Sequence, residues 1–518
     1  MLLNKRFLGV ALAAPLALSA CGGDGGTFDL NLLHMDCTDE VDFIPRSSML
    51  TIRVTGDGMK AVEETVSASA RSAEIPEVPF GSNRVVTVEA KANGKLVAYG
   101  KSQPFELTES EKAEVTVMVQ AVNRFAGAAD VSNACVEMTS QRAGHTAVAM
   151  GDGKVLLVGG FKKLEGSGLG SDFVATAEIY DASIGTFVPT KAPCDGSTCF
   201  DVGHGQGVRL KDGRILLAGG EALRGETVAP VKTAMIYEPG ADKWTALEMG
   251  TARRGHTVHA FKGGKVLVIG GVDAEGNILD STEIFDPATN TFAPGPVMNG
   301  VNETLGAGRA YHAAAMINDS TVMVAGGVHV GGTLARKTVY FKEATTGGFT
   351  YVPGANADVF AVNPVLQAGA GIVKGGMVLV GGATEYDPVG KRIQGATNAA
   401  QWMSASKRTT PDDDVIETKA TRSAPCVASI DDNRILAIGG LSGQGVALDA
   451  AEVIAWNDEK KMIERSPVGD SELNSRMSAN RAFGSCTNLG DGRILVTGGV
   501  ASGANATSTA EIYTIRKL

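Results

Sequence analysis

Arg142, Arg253, Arg309, Arg422 and Arg481 each stand three residues ahead of a position that recurs along this chain. Histidine fills that position at His145, His256 and His312. A ring of guanidinium groups suits bidentate recognition of carboxylates, on a peptide or an acidic glycan. His145, His204, His256 and His312 read as one position in four successive segments, which is the mark of a packing role. A shared metal would need ring nitrogens about 2 Å from it, whereas equivalent atoms on facing sheets lie on the order of 10 Å apart. His259 and His329 are isolated, and no calcium-ligand ladder follows Asp412, Asp413 and Asp414, which read as a solvated loop. Neither a metal nor a cofactor is expected.

Beyond Cys21 the chain has six cysteines: Cys37, Cys135, Cys194, Cys199, Cys426 and Cys486. An even count in an exported protein favours disulfides. Cys194 and Cys199 are close enough to close a small loop, while Cys37 and Cys135 flank the first domain and would staple it to the rest of the chain. Cys426 and Cys486 fall in corresponding strands of successive repeats, where bridging depends on geometry that spacing does not fix. There is no Cys-x-x-Cys pair to hold zinc. Nor is there a Gly-x-Ser-x-Gly elbow, a phosphate loop or a His-Glu-x-x-His helix.

The elements that position these residues come from a repeat. The chain has 518 residues, more than one ordinary core holds, and 66 are glycine, which suggests many tight turns in an all-β fold. An apolar run ending in Gly-Gly recurs seven times, at Gly159-Gly160, Gly219-Gly220, Gly270-Gly271, Gly326-Gly327, Gly381-Gly382, Gly439-Gly440 and Gly498-Gly499. The period is about 56 residues. Short apolar runs of this kind fit strands buried on both faces. Turns such as Gly151-Asp152-Gly153 and Gly490-Asp491-Gly492 precede them, and segments such as Ala177-Glu178-Ile179-Tyr180-Asp181 and Thr282-Glu283-Ile284-Phe285-Asp286 come after them. A last strand opens on an aromatic, as at Trp244 and Phe292.

This order resembles the kelch repeat: a His-bearing strand, an apolar strand ending in Gly-Gly, a Tyr-Asp strand, then an aromatic. The resemblance implies an all-β fold, a seven-bladed kelch-type β-propeller over residues 129–518. In repeats 5 and 6 the pattern is worn, with Ala368 and Pro425 near the histidine position and no clear tyrosine around Trp402 and Trp456. Repeat 7 lacks a fourth strand. Cys135-Val136-Glu137-Met138 followed by Arg142 matches Trp244 to Met249 followed by Arg253, so residues 133–139 are expected to complete the last blade and close the ring. Strand parity places the long variable loops on the Gly-Gly side, where recognition is expected. The five arginines would ring the channel mouth there; the resemblance also implies a structural alternative, in which they pair with neighbouring blades.

Residues 27–128 lack the repeat and alternate as half-buried strands, for example Leu50 to Val54 and Val115 to Val119. A small β-sandwich, immunoglobulin-like or transthyretin-like, is expected, as a spacer or as a second binding unit. Ahead of it, Lys5 and Arg6 precede an apolar stretch too short to span a bilayer. Leu18-Ser19-Ala20-Cys21 resembles the bacterial lipobox, which implies that residues 1–20 are a lipoprotein signal peptide and that Cys21 is acylated. Residues 21–26 would be a Gly-rich tether, and the cell envelope, on the outer membrane, the address. Two or more acyl chains give a stable anchor. Net charge of −10 argues against general nucleic-acid binding.

The function expected is that of a cell-envelope binding or interaction module, monomeric, whose partner is a protein, a peptide or a glycan. The alternatives are a carbohydrate-active enzyme and a passive envelope structural protein. Copper radical oxidases resembling galactose oxidase and a periplasmic sialic-acid isomerase are kelch propellers. The oxidase centre needs two histidines, two tyrosines and a cysteine, which this sequence does not assemble around Tyr311-His312, and no catalytic residue is nominated.

Overall fold

The computed structural model describes residues 25–515, except 35–36, 38–43, 46, 70–75, 111–112, 133, 166–169, 299–307, 346, 354–364, 389–391, 405–414, 466–475 and 502. Cys21 and the signal-like segment lie outside the described residues, as do Asp412, Asp413 and Asp414. Among the described residues there is no α-helix, and none long and apolar enough to cross a membrane.

The repeat folds as seven antiparallel meanders. Blade 1 runs Thr146–Gly151, Lys154–Val158, Ala177–Asp181 and Thr186–Pro189. The first strands of blades 2 to 7 are Gln206–Arg209, Thr257–Ala260, Ala313–Asn318, Gly369–Val373, Cys426–Asp431 and Ser485–Asn488. Each first strand contacts the next, and the seventh contacts the first, so the ring is closed. The second strands are buried along their length because blades sandwich them on both sides, which is why their sequences are continuous apolar runs rather than alternations.

The Gly-Gly pairs are the inter-blade joints. The N–H of each second glycine donates to a carbonyl of the next blade: Gly160 to Val202, Gly220 to Arg253, Gly271 to Arg309, Gly327 to Val365, Gly382 to Arg422, Gly440 to Arg481 and Gly499 to Arg142, at 2.7–2.9 Å. At Gly270 φ is +60°, and a Cβ there would sit on the Arg309 carbonyl oxygen, so glycine is required on both counts.

Ring closure differs from expectation. The fourth strand of blade 7 is Arg124–Gly127, paired with Ala510–Thr514, rather than residues 133–139. From that stretch Glu137 makes a single bridge to Thr509, and Cys135 one to Ala129. Aromatic register explains the outcome. Tyr180 stands opposite Phe187, Tyr237 opposite Trp244 and Phe285 opposite Phe292. Phe125 stands opposite Tyr513 in the same way, with ring centroids 4.9 Å apart. The propeller therefore begins before residue 129. In worn blades 5 and 6, Met403 and Ile454 take the tyrosine position, opposite Met377 and Ile435. Trp402 and Trp456 meet nearby as a tilted pair with ring centroids 4.8 Å apart.

Residues 25–121 form a separate β unit, with hydrogen-bonded strands in the order Asp29–His34, Glu114–Ala121, Lys95–Lys101, Gly81–Ala92, Met49–Thr55 and Val62–Ser67. Leu50, Ile52, Val54, Val86, Val88 and Val117 build its core. It docks on the end of the propeller that carries the short turns: Gln103 packs on Gly153, Tyr99 on Gly492, and Thr514 donates to Gln120 at 2.7 Å. Arg493, buried with Asp491 at 2.6 Å, also reaches Met118. All three cysteine pairs are bridged: Cys37–Cys135 ties this unit to the propeller, Cys194–Cys199 closes a hairpin, and Cys426–Cys486 staples the first strands of blades 6 and 7.

Candidate functional site

The five arginines do not ring the mouth. Arg142, Arg253, Arg309, Arg422 and Arg481 are at most 2% exposed and point into the blades. Each donates through Nη1 to the carbonyl of the first glycine in its blade's Gly-Gly pair: Gly159, Gly270, Gly326, Gly439 or Gly498. Four also pair with a glutamate of the third strand, Arg142 with Glu178, Arg253 with Glu283, Arg422 with Glu452 and Arg481 with Glu511, at 2.7–2.8 Å. The same carboxylates accept backbone N–H groups from the incoming linker, as Glu283 does from Gly250 and Thr251. Burial pulls the pKa of Arg142, Arg253 and Arg422 down while the paired carboxylate supports the charge. This is an internal clip that fastens four of the linkers to their blades, and it leaves those guanidinium groups committed within the fold.

The histidines divide. His145, His256 and His312 are buried between blades, bonding Thr497, the Ala218 carbonyl and Thr257 respectively. Burial first, and nearby arginines second, hold all three near a pKa of about 3, so they are neutral packing groups. His204 is not their equivalent. Gln206 pairs with Ala218 as Thr146 pairs with Val158, which puts Gly205 at the histidine position and His204 one place earlier. The Gly-His string hides the shift. His329 hydrogen-bonds the Gly308 carbonyl, and burial lowers the pKa of His259 to about 4.

That earlier place is where the mouth is built. It holds Gly144, His204, Gly255, Tyr311, Gln367, Ala424 and Phe483, one per blade, all with φ between +47° and +62°. Backbone hydrogen bonds run between neighbours, as from His204 to Gly144, Gln367 to Tyr311, and Gly144 to Phe483. Bulky residues rarely adopt such φ, and strain of this kind gathers at functional sites. These residues line a cavity of about 800 Å³ at the Gly-Gly end of the channel, together with Glu165, Glu221, Arg254 and Arg392. Its volume is in the range of ligand pockets.

One sector departs from the repeat. The residue after each Gly-Gly pair bridges the residue after the arginine position: Phe161 with Ala143, Glu221 with Gly203, Val272 with Arg254, Val328 with Ala310, Ala383 with Leu366, Leu441 with Ser423 and Val500 with Ala482. Charge appears there only at Glu221 and Arg254, on adjacent blades, and they pair at 2.9 Å with little exposure. Burial pulls the Arg254 pKa down, but Tyr311, Glu221 and Tyr386 together raise it above its ordinary value. Burial pushes the Tyr311 phenol up to about 12, with the Arg254 guanidinium hydrogen-bonded beside it. Tyr386, from the blade 5 arm Glu385–Asp387, lies 6.5 Å from Tyr311 ring to ring. On blade 2, next to the Gly203–Glu221 bridge, His204 packs between Phe161 and Phe483 at 5.2 and 5.4 Å. The signal in the sequence is positional: with the seven repeats aligned on Gly-Gly, Glu221 and Arg254 are the only charged residues at these bridging positions. Among the described residues no group of three His, Cys, Asp or Glu side chains is placed to hold a metal.

A family model described as "Kelch motif" matches residues 252–299. No curated protein matches the chain. Among solved structures, one titled "Structure of YjhT" is similar at 14% identity, covering 64% of this chain and 99% of its own, with a TM-score of 0.46.

Proposed function

The chain being a seven-bladed kelch-repeat propeller, a scaffold for binding or interaction, we propose that it binds its ligand in the mouth at the Gly-Gly end. The ligand is a protein segment, a peptide or a glycan. One observation carries the reading: at the bridging position that follows each Gly-Gly pair and each arginine position, charge enters only at Glu221 and Arg254, and these two border the cavity with Tyr311 and His204. Residues freed from the repeat on a rigid scaffold are those available for recognition. Among the described residues, the N-terminal unit contacts the opposite end, at the short turns. The test is hydrogen exchange of the full chain with and without a ligand found by screening envelope glycans and peptides. Protection around residues 204, 254, 311 and 483 is expected; protection confined to residues 25–121 or to the short turns would overturn the reading.

The N-terminal segment supports a second element of the proposal, a lipid anchor at Cys21 holding the protein in the bacterial cell envelope. Metabolic labelling with an alkyne fatty acid is expected to mark the protein and to fail on Cys21→Ser, which would move to the soluble fraction. Unlabelled wild-type protein would remove the anchor from the proposal.

A further inference from the structure

We propose that the sector of the mouth formed by blades 2, 3 and 4 is a subsite for an uncharged sugar ring, a proposal that rests on the mouth being the binding face. Three observations bear on the class of ligand. The charges in the lining cancel, Glu165 and Glu221 against Arg254 and Arg392. The lining histidines His145, His204, His256 and His312 are held neutral by burial. Arg254 is engaged by Glu221 at 2.9 Å, so an anion would have to compete with a carboxylate already in place, and a cation with the guanidinium.

A sugar hydroxyl meets neither obstacle. It donates to a carboxylate and accepts from a guanidinium without displacing either, and of the pair Arg254 is the more exposed, Glu221 already accepting from Arg254 and from the Gly170 N–H. The C–H face of a sugar ring is apolar and needs a flat partner. Tyr311 supplies one at the cavity wall, held over Gly255, where a Cβ would strike its ring. The ring packs on Val272, Ala310 and Val328 at the joint of blades 3 and 4, which holds it in place at the cavity wall. Tyr386 stands behind it.

The experiment is calorimetry on the full chain with four neutral probes, maltohexaose, cellohexaose, chitohexaose and mannohexaose, and two acidic ones, hexagalacturonate and a hexaglutamate peptide. At least one neutral probe is expected to bind, with both acidic probes weaker. Tyr311→Ala should weaken the neutral probe about tenfold, as expected for loss of an aromatic contact. Tyr311→Phe, which keeps the ring, should restore most of the affinity. Glu221→Gln frees the Arg254 charge, so it should weaken the neutral probe and strengthen hexagalacturonate. Failure of all neutral probes, preference of the wild type for an acidic probe, or an unchanged Kd in Tyr311→Ala with intact melting would each overturn the sugar subsite. Hydrogen exchange separates the two levels. An acidic probe that protects the mouth removes the uncharged-sugar subsite and keeps the mouth; a neutral probe that protects another face removes both.

Discussion

Glu283 illustrates how a buried charge is committed at the residue scale. Its carboxylate serves Arg253 and two backbone N–H groups, so Glu283→Gln leaves a guanidinium buried without its counter-charge. We expect a loss of about 3–5 kcal/mol in urea denaturation, whereas the double change Arg253→Met, Glu283→Leu should be far milder. Ligand affinity should be unaffected by either. The buried histidines set a pH dependence. His145, His256 and His312 have folded-state pKa values near 3 against an ordinary 6.5, so the unfolded chain binds more protons between those limits. Stability from this source is complete above pH 6.5 and falls as pH drops toward 3. Melting temperature measured from pH 7 to pH 4 should decline, and His256→Gln should flatten the decline; an unchanged slope would contradict the assignment. The arginine spacing was legible in the sequence, but its meaning was not. The partner glutamates stood in the same third-strand segments that marked the repeat, and only burial reveals that the two belong together.

At the scale of elements, Gly-Gly was readable because few other sequences supply two consecutive residues at positive φ beside a neighbouring backbone. The closing strand was harder to read. Residues 133–139 match the spacing to the next arginine, yet cross-strand pairing follows the aromatic opposite Tyr513, and that is Phe125. Phe125→Ala should destabilise the propeller by about 2–3 kcal/mol, while Glu137→Ala, on an exposed bridge, should stay within about 0.5 kcal/mol; equal effects would argue against this register. In blades 5 and 6 the repeat is worn because Met403 and Ile454 fill the tyrosine site with a different apolar shape, Met403 packing toward blade 4 and Ile454 lying in the core between blades 5 and 6 that also takes in Trp402 and Trp456.

At the scale of the molecule, Cys37–Cys135 closes a span of 98 residues, the longest of the three bridged spans. Chain entropy assigns such a link about 4–5 kcal/mol and the five-residue Cys194–Cys199 link about 2 kcal/mol. Replacing both members of the first pair with alanine should therefore lower the denaturation midpoint of residues 25–121 more than the same change at Cys194 and Cys199, as followed by limited proteolysis. Closure of the ring also has an order in time. The strand Arg124–Gly127 is synthesised early and its partner Ala510–Thr514 late. Until then blade 7 does not exist, and Gly499 has not yet met Arg142. A chain interrupted anywhere before residue 510 cannot settle into a smaller ring with the same seam. Closure of the propeller is thus a contact between two strands some four hundred residues apart, and every blade between them depends on that one seam for a closed ring.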